Sequence, residues 1–348
     1  MKKTKLKVIS LCSGIGCQER GIQNTSCFEP KVVATSEINR DAVLSYAAIH
    51  CGLTEEMVTL YPDYPSLDQM RKELTDLNLG YEPEKDKKYD WYRKGKKFED
   101  GIRRYWLACK LSNNLGDVSR IGKLPKADVW FMSFPCTDIS IAGKLKGINP
   151  NDGTRSSLIW QTLRLLEESR KADELPEYMM LENVKNLVGK RFIGDFEKFN
   201  ELIGEFGYNV YWRVLNAKNC GVPQNRERVF AVYIRKDIDT GRFTFPKPFD
   251  NGLRLKDILE DKVDEKYYVE TEKAHELIRK LIDDGTLEIE EKTGIDMSVK
   301  DPRTIDVANC VSARQDRGIS NRQAEGSGVL EHVIGGGGQT GRIQHKAL

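Results

Sequence analysis

Short apolar runs alternate with helical segments through residues 1–235, and this alternation restricts the fold more than any other feature of the chain. Apolar runs of strand length are predicted at 7–11, 31–36, 128–134, 178–181, 210–215 and 228–234. Segments with helical character lie between them, at 18–22, 41–50, 154–170 and 194–206. Strands that alternate with helices indicate an α/β fold with a mostly parallel sheet.

The character of the sequence changes after residue 235, which predicts a second structural region. Residues 241–249 form a link punctuated by proline, and residues 301–348 are polar and rich in glycine. We therefore expect a first domain at 1–235 and a smaller lobe at 236–348. Residues 54–112, rich in Tyr, Lys and Glu, are interpreted as an insertion into the first domain.

Composition argues against several classes of protein. The 348 residues carry a formal net charge of only +2, so local patches rather than the whole surface would have to bind a nucleic acid. No apolar run approaches the ~20 residues that a membrane-spanning helix needs. Eight cysteines without a CxxC pair, together with only four histidines, argue against a metal site and for reduced thiols in a cytoplasmic protein.

Cys136 is the strongest candidate nucleophile. It follows Pro135 at the end of the apolar run 129–132, and Lys144 and Lys146 follow shortly in a Gly/Lys loop. The thiolate is the reactive form of cysteine, and nearby cations favour it. The alternative is a buried structural cysteine, which is inert.

Three further groups follow predicted strands, and ligands of open α/β sheets bind at the carboxyl ends of strands. They are the turn 13–16 with two glycines, Glu37, and the pair Glu182-Asn183. A carboxylate after the second strand can accept ribose hydroxyls, so the turn and Glu37 together indicate a cofactor that contains a nucleoside. A carboxyl group at the end of an apolar strand suits proton donation. The alternative interpretations of the three groups are an ordinary strand-to-helix turn, a solvated glutamate and a helix-capping pair.

Arg226 and Arg228 alternate on a predicted strand, so we expect both side chains on one face. Paired guanidinium groups suit carbonyl and phosphate oxygens. The alternative is a surface pair that forms ion pairs with Glu227 or another neighbour.

These segments, in this order, resemble the DNA (cytosine-5-)-methyltransferase family of the bacterial and phage type. The matching motifs are Leu11–Gly16, Glu37, Gly116-Asp117-Val118, Pro135-Cys136, Glu182-Asn183-Val184 and Gln224-x-Arg226-x-Arg228. The resemblance covers about 6–50 and 113–235, and extends more weakly from 240 to about 330. It implies a Rossmann-like, S-adenosylmethionine-dependent methyltransferase domain with a mostly parallel sheet, plus a smaller, irregular target-recognition lobe.

The resemblance also implies a reaction and a set of site residues. The reaction is methyl transfer from S-adenosylmethionine to carbon 5 of a cytosine flipped out of duplex DNA, with Cys136 bonded to carbon 6. The implied catalytic residues are Cys136, Glu182, Asn183, Arg226 and Arg228. The implied cofactor-binding residues are Leu11, Cys12, Ser13, Gly14, Ile15, Gly16, Glu37, Ile38, Asp117, Val118 and Pro135. The implied DNA-contacting residues are Ser140, Gly143, Lys144, Lys146 and Gln224.

Three departures from the family pattern stand out. Cys12 replaces an aromatic residue, Thr137 replaces glutamine, and the last two family motifs are not found before Leu348. We therefore expect the target-recognition region to be incomplete at its C-terminus, with a separate chain as one source of the missing motifs.

Three alternative functions remain open at this point. The first is a transfer-RNA cytosine-5 methyltransferase, because one branch of the family acts on that substrate. The second is an inert or truncated DNA-binding partner, against which the presence of Cys136, Glu182, Arg226 and Arg228 argues. The third is a Rossmann dehydrogenase, which would leave Pro135-Cys136 unexplained.

Overall fold

The chain divides into two units in the computed structural model: Met1–Val214 with Arg228–Phe243, and Leu215–Glu227 with Thr244–Leu348. The structure describes residues 3–82, 85, 87–136, 139, 155–260, 263–265, 268–269, 272–283, 285, 293–296, 303–310, 327–335 and 338–344.

A six-stranded sheet forms the centre of the first unit. Its first five strands are β1 (Thr4–Leu11), β2 (Phe28–Ser36), β3 (Val129–Met132), β4 (Tyr178–Val184) and β5 (Tyr208–Asn216). The next strand in the chain, β6 (Gln224–Asn225), lies outside this sheet, and β7 (Glu227–Arg235) completes it in the order β2-β1-β3-β4-β7-β5. Strand β1 is parallel to β2 and β3, and β3 is parallel to β4, whereas β7 is antiparallel to β4. The mostly parallel sheet predicted from the alternation is confirmed.

Seven described α-helices belong to the first unit. They are α1 (Cys17–Gln23), α2 (Arg40–Cys51), α3 (Glu55–Leu60), α4 (Leu67–Asp76), α5 (Lys96–Leu111), α6 (Gln161–Lys171) and α7 (Ile193–Glu205). Polar side chains start three of them: Asn39, Thr54 and Ser66 each accept a hydrogen bond from a backbone N–H of the first turn of α2, α3 and α4, respectively. None of the helices in the described part of the chain is long and apolar enough to cross a membrane.

Apolar residues cover both faces of the central strands. All four residues of β3 are buried, because alternate side chains enter different clusters on the two faces. Trp130 and Met132 join the large core that includes residues of α6 and α7, whereas Val129 and Phe131 pack with Val8. The segment 54–112 contributes α3, α4 and α5, and has its own core against α2.

Strand β4 extends beyond its sequence prediction. Its parallel partner β3 ends where Met132 pairs with Leu181, but antiparallel pairing with β7 continues to Val184 opposite Arg228. Glu182 and Asn183 therefore lie within β4 rather than after it, because the ladder with β7 keeps the backbone extended.

The second unit contains a five-stranded antiparallel sheet and one described α-helix. The sheet contains β8 (Tyr268–Val269), β9 (Thr293–Asp296), β10 (Arg303–Thr304), β12 (Ser327–Gly335) and β13 (Gly338–Gln344), in the order β10-β9-β12-β13-β8. The helix is α8 (Glu272–Asp283), and β11 (Ala308–Asn309) pairs with β6 in a parallel ribbon of two residues each.

Candidate active site

The register of the central strands places four chain segments at one edge of the sheet. Leu11 pairs with both Ser36 and Met132, and Met132 pairs with Leu181. The residues that follow these positions therefore emerge together, and they include Cys12–Gly16, Glu37, Pro135-Cys136 and Glu182. Backbone hydrogen bonds continue the alignment, from Ser13 N to Ser36 O at 3.0 Å and from Ser133 N to Leu11 O at 3.2 Å.

The glycine turn after β1 is bound to Glu37. The Glu37 carboxylate accepts hydrogen bonds from Gly14 N at 2.9 Å, and from Ile38 N and Asn39 N at 2.9 and 2.8 Å. Gly16 has a φ of 81°, and a Cβ there would stand 2.3 Å from His50 Nε2, so only glycine fits without a rearrangement. Ile15, also predicted to bind the cofactor, has an exposed side chain.

Cys12 lies against the large core and is not a candidate nucleophile. Burial raises the pKa of its thiol, and the negative charges of Glu37 and Asp117 raise it further. The thiol is therefore neutral near pH 7. The charges of Glu37 and Asp117 thus act on Cys12, although the three residues were predicted from separate motifs.

Asp117 lies in the loop after α5. Its Oδ1 accepts hydrogen bonds from Ser119 N at 2.9 Å and Ser119 Oγ at 2.7 Å, and its Oδ2 accepts one from Asn78 Nδ2 at 2.8 Å. The following residue, Val118, is buried in the large core and anchors the loop. The carboxylate is thus held by its own loop and by the segment between α4 and α5.

Sequence reasoning missed Asn114, which joins the loops of Glu37 and Asp117. This buried side chain accepts hydrogen bonds from Glu37 N and Gly116 N, both at 3.0 Å, and donates one to Glu37 O at 2.9 Å. An asparagine two residues before the Gly-Asp motif was the available signal. Its importance depends on a contact across 77 residues, which no local pattern reveals.

Pro135 and Cys136 follow β3, and both are half-buried. Asn183 Nδ2 donates a hydrogen bond to Phe134 O at 2.9 Å, and Cys136 O accepts one from Ile139 N at 3.1 Å. Cys136 also packs against the large core. Asn183, which points away from Glu182 because side chains alternate along β4, therefore braces the segment that carries the cysteine.

Glu182 and Arg228 form an ion pair across β4 and β7. Arg228 Nε lies 3.1 Å from Glu182 Oε1, and the two side chains are 17% and 26% exposed, respectively. Glu182 pairs with Phe230 in the ladder and Val184 with Arg228, so the ion pair is a diagonal contact on one face of the sheet.

Arg226 and Gln224 belong to the second unit, and the single strand expected for the two arginines is wrong. Arg226 lies between β6 and β7. Its N–H donates a hydrogen bond to Gln224 O at 3.0 Å, which makes a tight turn in the backbone. Gln224 pairs with Ala308 of β11 instead. The Arg226 side chain donates a hydrogen bond to Cys310 Sγ at 3.4 Å.

The expected DNA-contacting residues Ser140, Gly143, Lys144 and Lys146 lie outside the described residues, as does Thr137. The described side chains nevertheless differ between the two ends of this edge of the sheet. One end, called the acidic end below, has Glu37 and Asp117 beside a glycine turn, which suits a nucleoside. The other has Cys136 after β3 and the ion-paired Glu182 on the neighbouring strand β4.

Comparison with known proteins gives consistent matches. Residues 96–327 match the model of the C-5 cytosine-specific DNA methylase family. The chain is 38% identical over 269 residues to the type II methyltransferase M2.ScrFI of Lactococcus lactis subsp. cremoris, covering 76% of this chain and 70% of that protein. It is 30% identical over 272 residues to the orphan methyltransferase M.SssI of Spiroplasma monobiae, covering 76% of this chain and 67% of that protein.

Among solved structures, the Dnmt2 methyltransferase of S. pombe aligns over 93% of this chain and 75% of its own, with 16% identity and a TM-score of 0.48.

Proposed function

The chain belongs to the C-5 cytosine-specific DNA methylase family, and from this premise we propose that it methylates carbon 5 of cytosine in duplex DNA with S-adenosylmethionine as methyl donor. The observation that carries the proposal is the shared edge of the sheet, where Cys136 follows β3 and the Glu182–Arg228 pair lies near the ends of β4 and β7. A nucleophile and a held carboxyl group at one edge are the parts that this chemistry needs.

The residues at the acidic end fit S-adenosylmethionine. A carboxylate offers about four acceptor positions, and three at Glu37 are occupied by backbone N–H groups, so one remains for a ribose hydroxyl. Asp117 would accept a hydrogen bond from the adenine amino group, and Ser13, Gly14 and Gly16 would surround the methionine part. Cys12 supplies a neutral side chain where the family pattern has an aromatic residue.

Cys136 starts the reaction. Carbon 5 of cytosine is a weak nucleophile until the Cys136 thiolate bonds to carbon 6, and the cytosine must leave the helix stack for that attack. Glu182 would hold ring nitrogen N3 and the amino group as electrons move into the ring. Arg228 would hold the carbonyl oxygen of the base while it fixes Glu182. Arg226, in the second unit, would contact phosphates.

S-adenosylmethionine, when bound, supplies the electrophilic methyl group that carbon 5 then accepts. A base next removes the proton from carbon 5, the carbon 5–carbon 6 double bond re-forms, and the bond from Cys136 to carbon 6 breaks. The thiolate is thereby regenerated. Throughout the reaction, the hydrogen bond from Asn183 holds the backbone at Phe134, two residues before Cys136, in place.

Covalent trapping tests the proposal. The substrate is a long duplex synthesised with 5-fluorodeoxycytidine, so that short recognition sequences are present. Fluorine cannot leave carbon 5 as a proton does, and wild-type protein with S-adenosylmethionine should form an adduct that survives denaturation. Cys136→Ala should form none, whereas Cys51→Ala, which alters another half-buried cysteine, should react like the wild type.

The outcomes separate the alternatives. An undiminished adduct with Cys136→Ala would refute the assigned nucleophile. An adduct on fluorinated transfer RNA with none on DNA would move the substrate to RNA, and no adduct on either polymer would contradict the proposed activity of this chain.

A further inference from the structure

The segment between α4 and α5 meets both loops of the acidic end. Gly80 N donates a hydrogen bond to Ile38 O at 2.7 Å, and Asp117 N donates one to Leu77 O at 3.1 Å. Gly116 approaches so closely that a Cβ there would stand 2.2 Å from Leu77 O. The backbone of residues 77–80 therefore forms one wall of the region that we assign to the cofactor.

Asn78 is the residue of this wall that reaches Asp117. It is only 6% exposed, and its Nδ2 donates to Asp117 Oδ2 at 2.8 Å. Ser119 holds the other oxygen of Asp117 through its N–H and hydroxyl groups. Asn78 and Ser119 come from different segments and bind different oxygens, so together they fix the plane of the carboxylate. Arg120 Nε, 4.0 Å from Oδ2, adds charge but lies beyond hydrogen-bond distance.

Asn78 also has a backbone role that must be separated from its side chain. It has a φ of 56° directly after the last residues of α4, and Leu79 N donates to Leu74 O at 3.2 Å. The helix thus ends with a residue in the left-handed conformation, a common ending in which glycine or asparagine is favoured at that residue. Glycine at position 78 would therefore keep the helix ending while removing the amide group.

We propose that Asn78 is a positioning residue for adenine recognition, because its amide orients the Asp117 carboxylate toward the adenine amino group. The inference rests on the proposed function, in which Asp117 accepts that amino group. It makes residues 54–112 part of the cofactor site. Hypoxanthine presents a carbonyl oxygen where adenine presents an amino group, so a fixed carboxylate favours adenine and repels hypoxanthine.

The experiment measures binding of S-adenosylhomocysteine and S-inosylhomocysteine by calorimetry to the full chain. We expect Asn78→Gly to lower the ratio of the two affinities about tenfold, the scale of one hydrogen bond to a charged group. Asn78→Asp, which has the same shape but faces Asp117 with a second carboxylate, should lower it at least as far.

Asn113→Gly is the matched control. Asn113 has a φ of 48° after α5, with Asn114 N bonded to Cys109 O in the same pattern, and its side chain is exposed. The Asn113→Gly variant should have the same ratio of affinities for S-adenosylhomocysteine and S-inosylhomocysteine as the wild type. Melting temperatures of the two glycine variants show whether both helix endings persist.

Each result has a distinct meaning. A wild-type ratio in Asn78→Gly, together with a lowered ratio in Asp117→Asn, overturns the role of Asn78 alone. An unchanged ratio in Asp117→Asn overturns the assignment of Asp117 and the role of Asn78 with it. If the wild type binds neither compound, the proposed function fails.

Discussion

The Glu182–Arg228 ion pair should stabilise the first unit by a measurable amount. At 3.1 Å the Coulomb attraction of two unit charges is about 5 kcal/mol at an effective dielectric constant of about 20. Both side chains are more than two-thirds buried, so desolvation offsets part of this attraction. A net coupling of about 2 kcal/mol remains, which is typical of a charged hydrogen bond.

A double-mutant cycle with Glu182→Gln, Arg228→Gln and both together measures this coupling. All five tryptophans, at 91, 106, 130, 160 and 212, belong to the first unit, so intrinsic fluorescence during urea denaturation reports that unit. Each single change should lower the free energy of unfolding by about 2 kcal/mol, and the double change should cost little more than either one.

Lys72 and Asp76 provide the matched control. Their Nζ and Oδ2 atoms are 3.2 Å apart, almost the same distance, but both side chains are about two-thirds exposed. Such a pair on a helix surface should show a coupling of about 0.5 kcal/mol or less. Equal couplings for the two pairs, or additive effects at Glu182 and Arg228, would refute the reasoning that burial makes the site pair strong.

Two further predictions concern groups beside the acidic end. Burial raises the pKa of Glu19, so the folded state holds its proton more tightly, and stability should fall as pH rises from the unfolded pKa of the carboxyl group through the folded value. Glu19→Gln should abolish this loss, so its advantage in urea denaturation should grow as pH rises above the unfolded pKa of the carboxyl group. Parallel pH curves of variant and wild type would contradict the prediction. Gly116→Ala should cost about 3 kcal/mol, because φ is 71° and the methyl group would meet Leu77 O. Gly101→Ala, in a helix with open space around its Cα, should instead gain about 0.5–1 kcal/mol in the same assay, and similar effects of both changes would argue against the strain.

Local sequence signals were sufficient for most elements of the first unit. The helical segment 41–50 and the uninterrupted apolar run of β3 are patterns that need no distant partner. Local sequence signals fail to predict the structure where a distant segment decides the conformation. The end of β4 depends on β7, and Arg226 leaves the strand because β6 pairs with β11 instead.

The candidate site divides in the same way. Of its chemical groups, Glu37, Cys136 and Glu182 follow from the order and type of residues at predicted strand ends, and Asp117 follows from the resemblance to a family motif. Their supporting contacts do not, because Asn114 bonds to Glu37 across 77 residues and Asn78 bonds to Asp117 across 39. A hydrogen bond from a side-chain amide to a distant segment leaves no periodic pattern of residues in the sequence of either segment.

The sequence by itself determined the α/β architecture and the residues available for chemistry, because hydrophobic periodicity and turn residues act over a few neighbouring positions. Only the tertiary structure decided which of these residues meet. Strand register places Cys12, Glu37, Cys136 and Glu182 at one edge, and antiparallel β7 brings Arg228 to Glu182. Register depends on pairing between segments more than 100 residues apart, such as β1 with β3, and the folded chain alone specifies it.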